Sequence, residues 1–169
     1  MKFKLIVLLQ IALVFSSCSK NVNSKHIILK DGHLNSEIFR DLEKEELILL
    51  SGYLYVYGNE CDGSSDKIKC KLLKKLKIDD ECNKQHIKTL KKWFKNDVIM
   101  SLKLQKCPVL PVKFAIQNKI EKIIINREND TISITIKVIG MNVAQEKHWN
   151  IEQTYRYLIN NNSFIKLKN

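Results

Sequence analysis

The side chains with chemistry to offer are four histidines, five cysteines and one pair of adjacent aspartates. His26, His33, His86 and His148 are scattered, with no two at the spacing that places metal ligands on one helix face and no His-Glu-x-x-His. Asp79 and Asp80 are neighbours, and neighbours on a helix do not face each other, so they read as helix caps rather than as an acid–base pair. There is no Gly-rich phosphate loop and no Gly-x-Ser-x-Gly, and the chain holds only five glycines. The sequence therefore predicts no catalytic residue, no metal ligand and no cofactor.

What can be read first is an address. Lys2 and Lys4 precede an apolar run, Leu5 to Phe15 broken only by Gln10, and two small residues, Ser16 and Ser17, stand before Cys18. An apolar helix of about 11 residues rises roughly 17 Å against about 30 Å of hydrocarbon, so it suits a secretory signal better than a membrane span. Val14-Phe15-Ser16-Ser17-Cys18 resembles the lipobox of bacterial lipoproteins, with Phe15 where leucine is usual. The resemblance implies cleavage before Cys18 and acylation of that cysteine. The protein would then be held in a bilayer by several acyl chains, facing the periplasm from the cell envelope. On this reading residues 1–17 are the signal peptide, 18–25 a lipidated tether and 26–169 a single domain.

Export changes the meaning of the other cysteines. Cys61, Cys70, Cys82 and Cys107 are even in number and contain no Cys-x-x-Cys, which in an oxidising compartment argues for two disulfides. Four cysteines allow three pairings. If residues 82–104 are one helix, about 33 Å long, Cys82 cannot come within the roughly 7 Å that a bridge to Cys107 needs. A helical hairpin about Ile78 then favours Cys70 with Cys82 and Cys61 with Cys107.

Charge is as uneven as the cysteines. The chain carries +11 overall, and the stretch from Asp66 to Lys106 holds 13 lysines against five acidic residues. An exported protein has little occasion to meet nucleic acid, so the candidates are acidic headgroups or an acidic protein. Lys71, Lys74, Lys75, Lys88, Lys91, Lys92 and Lys95 are the expected partner-binding residues.

The elements that must position them follow from periodicity. His26–Lys30 reads as a short strand ended by Asp31-Gly32. Ser36 to Tyr57 has helical spacing and is followed by Gly58. Ser65 to about Lys77 predicts a second helix, and a third begins at Asp79-Asp80 with Ile87, Leu90, Phe94 and Val98 inward. Cys107-Pro108-Val109-Leu110-Pro111 stops it. After the prolines the period becomes two, giving strands over Phe114–Arg127, Thr131–Ile139, Lys147–Ile159 and Ser163–Leu167.

The expected architecture is α+β, with N-terminal helices packed on one face of a C-terminal four-stranded antiparallel meander sheet. This order of elements loosely resembles the cystatin-like and nuclear-transport-factor-like folds, which implies a pocket between sheet and helices that Trp93, Trp149, Tyr155 and Tyr157 would line. Two functions fit. One is a non-enzymatic protein-binding module, such as an immunity or inhibitor protein against an exported toxin. The other is a small-molecule or lipid-binding envelope protein using that cavity.

Overall fold

The computed structural model describes residues 23–35, 37–56, 84–104, 116–142 and 144–168. Six of its segments are strands: β1 (Asn23–Lys30), β2 (His33–Leu34), β3 (Ile116–Glu128), β4 (Thr131–Asn142), β5 (Lys147–Asn160) and β6 (Ser163–Lys166). They form one antiparallel sheet in the order β2-β1-β3-β4-β5-β6. Among the described residues three helices lie between β2 and β3: α1 (Lys44–Val56), α2 (Lys84–Trp93) and α3 (Val98–Lys103), with a 3-10 turn over Glu37–Arg40. The class is α+β. The expected four strands become six, and the helices follow a strand hairpin instead of leading the domain.

Of the two strands added to the sheet, β1 contains the short strand expected over His26–Lys30, which the four-stranded meander leaves out, and β2 is unexpected. Asp31 and Gly32 both adopt positive φ, the backbone of a tight hairpin turn, so the chain reverses into β2 where a simple stop was expected. β1 begins at Asn23, inside the stretch read as tether, and pairs with β3. Its register slips between Ile27 and Leu29, and the bulge turns both Ile28 and Leu29 into the core. A second bulge, between Ile120 and Lys122, does the same for β3: Ile120, Ile123 and Ile125 are all buried although three residues separate the first two. β4 needs no such device. Ile132, Ile134 and Ile136 alternate with Ser133, Thr135 and Lys137, burying one face only.

α1 crosses the strands. Arg127 of β3 bonds Glu45 near its start, and Tyr53 near its end meets Tyr157 of β5. The helix begins later than Ser36 because Glu46 caps it. The Glu46 carboxylate accepts the Glu43 N–H at 2.7 Å, while the Glu43 carbonyl accepts the Leu47 N–H at 3.0 Å. Beside α1, the chain at the end of α2 comes so close that a Cβ on Gly52 would lie 2.4 Å from the Phe94 ring. Only glycine admits that approach.

The third helix does not run unbroken to Leu104. It ends at Trp93, turns through residues 94–96 and restarts as α3 with Asp97 as its N-cap. Asp97 competes for the backbone: its Oδ1 accepts the Met100 N–H at 3.1 Å. The premise of a 33 Å helix therefore falls, and with it the geometric argument against a Cys82–Cys107 bridge. The cysteines themselves, Cys18, Cys61, Cys70, Cys82 and Cys107, lie outside the described residues, as do the predicted helix from Ser65 to Lys77 and the loop from Cys107 to Pro111.

Candidate interaction surface at the α2–α3 elbow

α2 is amphipathic by spacing. Leu90, Trp93 and Phe94 are buried, while Lys88, Lys91, Lys92 and Lys95 stand exposed at intervals of three and four on the helix and the turn just past it. These are four of the seven expected partner-binding lysines. Lys71, Lys74 and Lys75 lie outside the described residues. Residues 84–104 hold six lysines and one acidic residue, Asp97, which is 3 % exposed. The outer surface of the elbow is thus positive with no carboxylate of its own to offset it.

The elbow is fixed from beneath by a buried polar chain. Tyr157 Oη donates to Asp97 Oδ2 at 2.8 Å, because a carboxylate only accepts. Having spent its proton there, Tyr157 accepts from Tyr53, whose Oη lies 2.7 Å away. Lys166 Nζ stands 3.7 Å from the same Asp97 oxygen and 5.1 Å above the Tyr155 ring. One aspartate therefore caps α3, satisfies a buried tyrosine and meets a cation, which ties α1, β5 and β6 to the restart of the helix. Ser101 Oγ donates to the Phe94 carbonyl at 2.9 Å and closes the turn.

α3 turns aliphatic side chains outward. Met100 and Leu104 are buried, but Val98, Ile99 and Leu102 are 70, 58 and 59 % exposed. Val98, placed inward by the unbroken helical pattern, is the most exposed of them. The restart at Asp97 rotates the stripe by a step that no single period carries.

The aromatic residues expected to line a pocket are placed differently from one another. Trp93 and Tyr157 are core, with Trp93 5.0 Å from Phe164 and Phe94 edge-on to Tyr157. Tyr155 and Trp149 are half-buried. A depression of about 100 Å³ lies on the outer face of the sheet, among Asn126, Glu128, Thr131, Ser133 and Arg156.

Other titratable groups serve the fold. Glu46 is fully buried, accepts from Ser24 Oγ at 3.0 Å and lies 3.7 Å from His26 Nε2, fastening β1 to α1. His86 stacks on Tyr55 at 5.4 Å, and burial holds its pKa below the ordinary 6.5. Lys137 hydrogen-bonds Glu121 on the open sheet face, which raises its pKa. Among the described residues no three metal-ligating side chains converge, and no helix is long and apolar enough to cross a membrane.

The sequence pointed to the lysines and missed the elbow. Asn96-Asp97 ahead of Val98-Ile99-Met100 is an N-cap signal before an apolar run, and it was the available clue to both the break and the outward aliphatic side chains. No family model, no curated protein and no solved structure matches the chain.

Proposed function

We propose that this chain is a membrane-anchored bacterial envelope lipoprotein that works by binding, without turnover, and that it docks an acidic protein partner through the exposed lysines of α2. An immunity or inhibitor protein that neutralises an exported toxin is one form of that task. The observation that carries the reading is the placement of Lys88, Lys91, Lys92 and Lys95 on one exposed side of a helix whose other side is locked into the core. Positive charge concentrated in this way speeds encounter with an oppositely charged surface. The outer-face depression lends the cavity reading no support, because ligand pockets are usually about 300 Å³ or more and largely apolar, whereas it is about 100 Å³ and lined by polar side chains.

The test is capture from detergent-solubilised envelope at low and high salt, using the full chain and a variant with Lys88, Lys91, Lys92 and Lys95 all changed to Glu. A protein retained by the wild type at low salt, released at high salt and not retained by the variant is the expected result. Retention of the same protein by both rejects the reading. The anchor is tested separately: Cys18→Ala abolishes incorporation of labelled palmitate, and equal labelling of the two chains would remove Cys18 as the acylated residue.

A further inference from the structure

The elbow and the start of β1 lie at the same end of the sheet. Asn23 opens β1 opposite Glu128, the last residue of β3. Asn96 of the elbow donates to Ser163 Oγ at 3.3 Å, where β6 opens. Ser24, Arg127, Ile132, Tyr157 and Lys166 make one transverse row, and Asp97 meets its Tyr157 and Lys166 end. Five strands in a row span about 19 Å. If the chain is tethered at Cys18, the part of the proposed function on which this inference rests, five residue steps lead to Asn23. They reach at most about 18 Å. The end of the sheet where β1 starts is then kept near the bilayer, and the elbow with it.

That placement gives the exposed side of α3 an occupant. Val98, Ile99 and Leu102 are three aliphatic residues clustered on one six-residue helix, whereas Ile27 lies on β1 and Ile151 and Leu158 stand seven residues apart on β5, on opposite faces of the sheet. Lys92 and Lys95 precede them, and residues 84–104 contain no arginine and one buried acid. The energetic centres of protein interfaces draw Trp, Tyr and Arg, and α3 carries none of these. An anionic bilayer surface asks for the opposite set: aliphatic side chains that enter the acyl boundary, and lysines whose stems lie along it while the ammonium groups reach phosphate. Glu128 and Asp130 stand exposed at the β3–β4 turn and oppose such contact there, which confines it to the β6 side of this end.

The geometry points to a second membrane contact: α3 rests on an anionic bilayer surface through Val98, Ile99 and Leu102, with Lys92 and Lys95 at headgroup level. Asp97 holds the helix in that attitude through its cap and its bond to Tyr157.

The test places a fluorophore at the contact. The full chain is reconstituted into vesicles of phosphatidylcholine alone or mixed with phosphatidylglycerol, carrying Ile99→Trp or, as a second probe, Leu102→Trp. The wild type supplies the background from Trp93 and Trp149. Ile151→Trp, 48 % exposed at the opposite end of the sheet, is the control. Reconstitution keeps every variant on the membrane, so the readout is local. In phosphatidylglycerol vesicles the α3 probes shift their emission to shorter wavelength and are quenched by brominated lipid several-fold more than the control. High salt or Lys92→Glu with Lys95→Glu reverses this, each lysine lost weakening contact by roughly fivefold. Quenching no greater than the control overturns the proposal, as does shielding of the probe only when an envelope protein fraction is added. Palmitate labelling of the same chains separates the two readings. A labelled chain with unquenched probes overturns the α3 contact and leaves the anchor, whereas an unlabelled chain with quenched probes supports the contact and removes the tether.

Discussion

Helix α1 buries six consecutive residues, Leu49 to Leu54, while α3, also rich in aliphatic side chains, leaves Val98, Ile99 and Leu102 more than half exposed. The difference lies in what each helix is packed between. α1 packs both on the sheet, through Tyr53 and Tyr157, and against Phe94 at the end of α2, so it can be apolar around most of its circumference. α3 buries only Met100 and Leu104 and is held by the polar chain through Asp97 rather than by being enclosed. Apolar content on its own thus says little about burial. A helix covered on two sides spends its aliphatic residues on stability, and a helix covered on one side has them left over for contact.

The largest effect that sharpens this contrast is Leu50→Ala in α1. Leu50 is fully buried, and its truncation should cost about 2–5 kcal/mol in urea unfolding. A loss comparable to that of a surface substitution would mean that α1 is not enclosed as described.

Next in size is Asp97→Ala, which removes the α3 cap and the carboxylate that accepts from the buried Tyr157 hydroxyl; about 1–3 kcal/mol is expected. Asp97→Asn keeps an acceptor oxygen and should recover part of it. If the alanine variant unfolds at the wild-type urea concentration, the buried chain does not hold the elbow.

The smallest stability effect belongs to α3 itself. Replacing Val98, Ile99 and Leu102 with Ser should change stability by no more than about 0.5 kcal/mol per site, since these side chains lose little on unfolding. A large loss would place them in a core and remove the contrast with α1.

Sequence periodicity captured those parts of the fold in which one period runs unbroken. β4 alternates cleanly from Thr131 onward, and β5 and β6 fall close to their expected limits, with an Asn161-Asn162 turn in which both residues take positive φ. Where the period is interrupted the reading failed. The bulges at Ile28 and Glu121 place residues of opposite parity on one face, so β1 looked too short and its partnership with β3 had no signature. Asp97 resets the helical phase, which sent Val98 to the wrong side. The lysines were legible because charge needs no register to be noticed. The elbow that presents them depends on Asp97, Tyr157 and Tyr53, with 60 residues separating the first two and 104 the last two. No local pattern reports contacts of that range.

The central claim is that the outer side of α2 governs encounter with an acidic partner. The most direct measurement is the association rate of the captured partner with the full chain and with the variant carrying Glu at positions 88, 91, 92 and 95, followed across ionic strength. The account predicts a fall of roughly tenfold or more at low salt and convergence of the two rates at high salt, where screening shortens the reach of charge to a few ångströms. Equal association rates at low salt would contradict it.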